Sequence, residues 1–329
     1  MPKPIHVFIG VDISKDNFDF YFKPTDGKAL KGKVVNNAEG FLEFFLKLPE
    51  NSWVVMEASG PYYYQLASFL YDKGVKLSVI NPLVIKRFTQ MQLKRTKTDS
   101  ADAHSIATYG GLMDIKPWEP LKECYMEIKQ WYVYRKQLLK HQHAILMKLE
   151  AFIATGSVNK LIRKSMEEEL LRVEENIKDA DKQMNMLIEK ENGALKKQLE
   201  SVPGIGPKTS LLLIVALRGF DSFETYKQVI SYLGLSPRIY ESGTSVKGKA
   251  KICKMGMAEV RKCLYMAARA AKIHNNTCKD LYLRLRAKGK AHRVAMIAVV
   301  NKLIKQAFAI AKSGIAYDKS YSNFNAVAK

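Results

Sequence analysis

The chain has 329 residues, 53 Lys plus Arg against 32 Asp plus Glu, and a formal net charge of +21. A surplus of this size points to an acidic polymer as partner, while 47% hydrophobic and 10% aromatic residues exclude a disordered chain. No uninterrupted apolar run approaches the ~20 residues of a membrane span, Asp12 interrupts the short apolar stretch near the N-terminus, and the four cysteines lack the spacing of a disulfide framework or a zinc finger.

Period-two apolar runs predict strands over His6 to Asp12, Phe18 to Lys23 and Leu30 to Val35, then a helix over Ala38 to Leu46. A strand Trp53 to Glu57, a helix Tyr62 to Asp72, a strand Val75 to Ile80, a helix after Pro82 and a helix Asp99 to Tyr109 complete the series. The order βββαβαβα plus one helix is that of an α/β ribonuclease-H-like domain, in which an antiparallel trio is extended by parallel strands through helical crossovers. It is expected over residues 1–115.

The pattern changes at Pro117 to Pro120, and from Tyr125 to Leu199 two long helices fit best. In the second, Met166, Leu170, Val173, Ile177, Ala180, Met184 and Leu187 recur at alternating steps of four and three, the seam of a coiled coil. A projecting coiled-coil hairpin is expected over 120–199, suited to self-association or to spanning a long ligand; helices folded back onto the body as core are the simpler alternative. A mainly α domain follows over 200–312, opening with a helix-hairpin-helix-like element at Pro203-Gly204-Ile205-Gly206, and residues 313–329 read as a tail. Between Lys247 and Lys302 stand 15 Lys plus Arg against Glu259 and Asp280 alone, so the positive charge is concentrated.

Asp12 ends the first strand and Glu57 the fourth, which places the two carboxylates side by side at one sheet edge. Asp99 and Asp102 lie three apart at the start of a helix and share a face. Four converging carboxylates stay ionised together only with cations, and such oxygen sets take Mg²⁺ or Mn²⁺, one ion or two, for phosphoryl transfer. Taken singly, Asp99 also fits a helix N-cap, Asp102 a dipole partner and Asp12 a turn residue; Asp16 fits a hairpin turn. Lys86, Arg87, Lys94, Arg95 and Lys97 run without an acid up to Asp99 and fit a phosphate grip leading to that site. A solvated helix face is the ordinary meaning of such a run. Gly204 and Gly206 leave backbone N–H groups open to a phosphate, with Lys208 beside them, and Lys247, Lys249, Lys251 and Lys254 add charge further on. A plain helix-joining turn accounts for the glycines nearly as well. Ser242, before Gly243 in a loop, has no Ser/His/Asp constellation around it, so a metal or carboxylate would have to activate it.

Five motifs carry a resemblance: Gly10-Val11-Asp12-Ile13-Ser14-Lys15, Met56-Glu57-Ala58-Ser59-Gly60-Pro61-Tyr62, Lys97-Thr98-Asp99-Ser100-Ala101-Asp102-Ala103, Pro203-Gly204-Ile205-Gly206, and Gly234-Leu235-Ser236-Pro237 with Ser242-Gly243. In this order, over nearly the whole chain, they resemble the DEDD transposases of bacterial insertion sequences, the family that includes the pilin-gene inversion recombinase. The resemblance implies a RuvC-like domain, a coiled-coil segment and a serine-containing transposase domain. It puts Asp12, Glu57, Asp99 and Asp102 at the four acidic positions and Ser242 at the serine. It also implies an element-encoded structured RNA that chooses donor and target DNA.

The expected activity is DNA transposition or site-specific recombination: Mg²⁺ or Mn²⁺ on the four acids activates Ser242, which attacks a phosphodiester and forms a phosphoserine bond. Joining two DNAs requires more than one active site, so a dimer or tetramer is expected, in the bacterial cytoplasm at the nucleoid and away from membranes. Two other readings stay open: a junction-resolving nuclease using metal-activated water, with Ser242 structural, and a non-catalytic nucleic-acid-binding scaffold.

Overall fold

The structure is a computed structural model that describes residues 6–24, 27–58, 60–92, 99–238, 241–242, 246–247 and 251–319, with the side chains of 99–100, 241–242 and 246–247 outside that description. The chain divides into two units, residues 1–121 and 122–329.

Alternation in the first unit produces β1 (Val7–Ile13), β2 (Asn17–Phe22) and β3 (Leu30–Val35), then α1 (Ala38–Leu46), β4 (Ser52–Glu57), α2 (Tyr63–Asp72), β5 (Lys76–Ile80), α3 (Pro82–Met91) and α4 (Asp99–Leu112). One five-stranded mixed sheet results, in the order β3-β2-β1-β4-β5, antiparallel at β1/β2 and β2/β3 and parallel at β1/β4 and β4/β5. The elements are those the periodicity predicts; α4 runs three residues past Tyr109.

Side chains alternate across a strand, and the two faces of this sheet bury different partners. Ile9, Val11, Ile13, Phe18, Phe20, Val54 and Met56 form one core with Phe41 and Phe44 of α1 and Leu66 and Leu70 of α2. On the other face, Val55 packs with Ile85 of α3 and Ile106 of α4. Two asparagines start helices on the sheet: Asn37 accepts from the Gly40 amide at 2.8 Å, and Asn81, before a proline at the first helical position, accepts from the Leu83 amide at 2.9 Å.

The second unit begins with α5 (Glu123–Ala154) and α6 (Lys160–Glu200). They run antiparallel: the Tyr125 hydroxyl donates to Asn192 Oδ1 at 3.1 Å, Arg135 Nη2 to Asp181 Oδ2 at 3.2 Å, and Gln142 Nε2 to Glu174 Oε1 at 3.1 Å. The distal half carries the predicted seam, with Leu138 and Ile145 against Val173 and its neighbours Met166, Leu170 and Ile177. The basal half is core: Tyr125, Ile128, Tyr132, Met184 and Ile188 pack into the same cluster as the C-terminal helices. Arg135, 9% exposed, grips Asp181 through two nitrogens where the halves meet. A slipped register would leave that charge buried and unpaired, at a cost of about 3–5 kcal/mol.

There follow α7 (Pro207–Leu217), α8 (Tyr226–Tyr232), four two-residue strands β6 (Pro237–Arg238), β7 (Glu241–Ser242), β8 (Val246–Lys247) and β9 (Lys251–Ile252), then α9 (Ala258–His274), α10 (Asn276–Ala287) and α11 (His292–Ser313). By length and composition α11 could cross a membrane. Its Ala295, Met296, Val299, Val300, Leu303, Ile304 and Ala307 are buried in the helical core of this unit, the ordinary behaviour of a core helix.

Candidate functional site

In the first unit, β1 and β4 pair in parallel up to Val11 opposite Met56, so the next step aligns Asp12 with Glu57. Both leave the face that buries Val11 and Met56 and share the opposite one, at the C-terminal edge of the sheet. Across the antiparallel pairing, Asp19 of β2 stands directly opposite Asp12, and Lys33 of β3 forms an ion pair with it at 3.8 Å. Sequence reasoning missed Asp19. Its signal was the alternation Asn17-Phe18-Asp19-Phe20, which puts the carboxylate opposite to the buried phenylalanines.

Helix α4 lies over the face that carries these acids. A Cβ on Gly10 would stand 2.0 Å from the Ala103 carbonyl oxygen and 2.4 Å from the Ala107 amide nitrogen, and one on Gly110 would reach Val55 and Phe8. The helix therefore runs antiparallel to β1, from residue 110 above Phe8 to residue 103 above Gly10. Asp12 lies two residues further along the strand, about 6.6 Å, which matches about 6 Å of rise over the four helical residues from Ala103 back to Asp99. The first turns of α4, with Asp99 and Asp102, thus start at the edge that holds Asp12 and Glu57. His104 of the same helix meets the Tyr21 ring edge-on at 4.5 Å, on the Asp19 side.

The donor oxygens are all carboxylates, the chemistry that Mg²⁺ and Mn²⁺ favour. Among the described side chains, which exclude that of Asp99, no three Asp, Glu, His or Cys groups stand close enough together to hold a metal ion. Lys86 and Arg87 lie on the exposed side of α3, whose Ile85 and Phe88 are buried; Phe88 meets Tyr109 of α4 edge-on at 5.3 Å. Lys94, Arg95 and Lys97 lie outside the described residues.

In the second unit, the turn between α6 and α7 has a packing explanation. Gly204, at φ +108°, presses on α9, where a Cβ would stand 2.6 Å from that of Ala271 and 2.9 Å from the Ala267 carbonyl oxygen. Asn275 donates to the Pro203 carbonyl at 3.4 Å and fixes the turn from the same side. Gly206 and Lys208 are exposed, with open space around Gly206.

Ser242 sits in β7, not in the loop the sequence suggests. Glu241 pairs with Lys247 and Ser242 with Val246, and below them Pro237 pairs with Ile252 and Arg238 with Lys251. At the base, the Cys253 amide donates to the Ser236 carbonyl at 2.9 Å and the Lys254 amide to the Gly234 carbonyl at 3.0 Å. The described residues between Gly234 and Lys254 thus form a two-stranded arm, with Ser242 in the ladder farther from its base. Lys251 and Lys254 are exposed on this arm, Lys247 takes part by its backbone, and Lys249 lies outside the described residues. Glu259, one of the two acids in the basic segment, accepts from the Tyr132 hydroxyl at 2.8 Å. Burial and this bond push the Tyr132 phenol well above its ordinary range.

Residues 9–155 match the model of an IS110 transposase domain, and residues 196–283 match that of the Transposase IS116/IS110/IS902 family. The pilin gene-inverting protein of Moraxella lacunata is 28% identical over 325 residues, 95% of this chain and 98% of the relative. The transposase for insertion sequence element IS1111A of Coxiella burnetii is 23% identical over 324 residues, 89% of this chain and 86% of the relative.

Proposed function

The chain belongs to the IS116/IS110/IS902 family of transposases, and on that premise we propose that it cuts and rejoins DNA with Ser242 as nucleophile and a metal-dependent carboxylate site in the first unit. The observation that carries this reading is the alignment of Asp12 with Glu57 at the end of parallel strands, under the first turns of α4. Strand order and the position of the acids support a ribonuclease-H-like, RuvC-like identity for the first unit.

Asp12, Glu57, Asp99 and Asp102 would hold Mg²⁺ or Mn²⁺, which when bound stabilises the charge that develops on a transferring phosphate. The remaining chemistry is the chain's own. Ser242 Oγ forms a bond to phosphorus as the bond from phosphorus to a sugar oxygen breaks; a carboxylate takes the serine proton, and the leaving oxygen departs as a hydroxyl once protonated. Attack by a hydroxyl of the partner strand reverses these steps and frees Ser242. The phosphoserine bond conserves the phosphodiester energy, so no nucleotide cofactor is required. Each strand cut needs one serine, so exchange between two DNAs calls for a dimer or tetramer.

The basic arm, Lys208, Lys86 and Arg87 supply phosphate contacts that do not read sequence. Choice of donor and target then falls to base pairing with an element-encoded structured RNA, in the cytoplasm at the nucleoid. Affinity for DNA is expected to fall steeply with salt: six phosphate contacts lose roughly 10³-fold between ~50 and ~200 mM. Filter binding over that range checks it, and a flat profile would mean that the basic surface faces something other than a phosphate backbone.

The deciding experiment is Ser242→Ala, with labelled DNA run on a denaturing gel. The variant is expected to lose both cleavage and the denaturation-resistant protein–DNA adduct while still binding DNA. Full cleavage by Ser242→Ala, with no adduct from the unaltered protein, would make water the nucleophile.

A further inference from the structure

Three tyrosines, Tyr62, Tyr63 and Tyr64, open α2 five to seven residues beyond Glu57. Tyr63 and Tyr64 are half-buried and meet Trp118 edge-on, at 6.5 and 5.6 Å. Tyr62 differs from them. It is 43% exposed and has no ring partner among the described residues, although its backbone is fixed. Its carbonyl lies 3.4 Å from Asn36 Nδ2, and that amide also reaches the Ser14 carbonyl at 2.9 Å and the Lys15 carbonyl at 3.4 Å. One asparagine thus ties the start of α2 to the turn that follows Asp12. The same amide keeps an exposed cation, Lys15, at the edge that presents Tyr62.

The ring borders Gly60, where a Cβ would stand 3.6 Å from Tyr62 Cδ2, and its exposed part is open to a planar partner. Beside a phosphodiester-cutting edge, with a lysine next to it, the partner of matching chemistry is a nucleotide: the base offers its face to the ring and the phosphate its charge to the ammonium. A base within a duplex hides both faces in the stack. Only an unpaired one can meet Tyr62, and strand exchange passes through unpaired ends.

We propose that Tyr62 and Lys15, positioned by Asn36, form a subsite that stacks an unpaired base and holds its phosphate beside the Asp12 and Glu57 edge. This rests on the recombinase reading and adds to it the form of substrate held at the cut: a strand whose base next to the reacting phosphate is unstacked.

The test measures affinity in chelator, so that no strand is cut, for an oligothymidylate of about a dozen nucleotides and for a strand of equal length made of abasic sites. The two carry the same phosphates and differ only in bases. Tyr62→Ala is expected to lose about tenfold on the thymidylate and nothing on the abasic strand, with Tyr62→Phe matching the unaltered protein on both. Lys15→Ala should weaken both strands equally and lower the salt slope by about 0.7, one single-strand phosphate contact. The subsite is overturned if Tyr62→Ala loses nothing, if it loses equally on both strands, or if Tyr62→Phe loses as much as Tyr62→Ala. Should Tyr62→Ala bind like the unaltered protein while Ser242→Ala still loses cleavage, the subsite alone falls. A protein that binds neither strand likewise overturns the subsite, while the recombinase reading stands or falls on Ser242→Ala.

Discussion

Asp12→Ala is expected to abolish strand cleavage while DNA binding survives, and Glu57→Ala to do the same. The two side chains occupy one register position on adjacent parallel strands, so either loss halves the acidic pair at the strand edge. A site that stabilises a transferring phosphate through a bound cation depends on that pair for several kcal/mol, and ~4 kcal/mol corresponds to about 10³ in rate. Asp102→Ala and Asp99→Ala should follow the pair, because α4 brings its first turns to the same edge. Binding should survive in all four, since the proposed phosphate contacts are lysines and arginines elsewhere. Asp16→Ala serves as the control: Asp16 is exposed in the turn beyond β1, and its backbone carbonyl accepts from the Asn36 backbone amide at 2.9 Å. Cleavage in Mg²⁺ retained by any two of the four variants would remove the carboxylate site from the mechanism.

Gly10→Val should lift α4 from the sheet and disable the first unit without touching a charged residue. Even a single Cβ there would stand 2.0 Å from the Ala103 carbonyl oxygen and 2.4 Å from the Ala107 amide. Both are helix backbone, which cannot rotate aside as a side chain can. Overpacking of this kind costs about 1–3 kcal/mol and more when backbone must move, which for a unit of this size lowers its melting point by roughly 10 °C. Displacing α4 also moves Asp99 and Asp102, so cleavage should fall together with stability, and hydrogen exchange should rise along α4. Gly206→Ala is the matched control, with open space around its would-be Cβ and a cap penalty of about 0.5–1 kcal/mol at the start of α7. An unchanged melting curve for Gly10→Val would show that α4 does not lie on β1 at Gly10.

Much of this was written locally. Short apolar runs named the five strands of the sheet, β2 burying one row of side chains and the central β4 burying residues on both faces, and the polar residue near the end of such a run, as Asp12 and Glu57 are, stands at the strand edge whatever the pairing. The heptad steps of α6 named the coiled-coil seam for the same reason, a repeat matched to helix geometry. Pairing and packing decided the rest. Asp19 became a neighbour of Asp12 only through the register of β1 on β2, which no single strand encodes. Gly10 sat in a predicted strand and Gly204 in a predicted turn, yet each is small because a helix crosses it, α4 on one and α9 on the other. The arm that carries Ser242 is built from two-residue ladders, too short to show a period, and it exists because its ends are clamped at Gly234 and Ser236. The basal half of the α5 and α6 hairpin and the apolar α11 share one core for the same physical reason: an amphipathic or apolar face shows in the sequence that it will be buried, and only the tertiary structure shows against what.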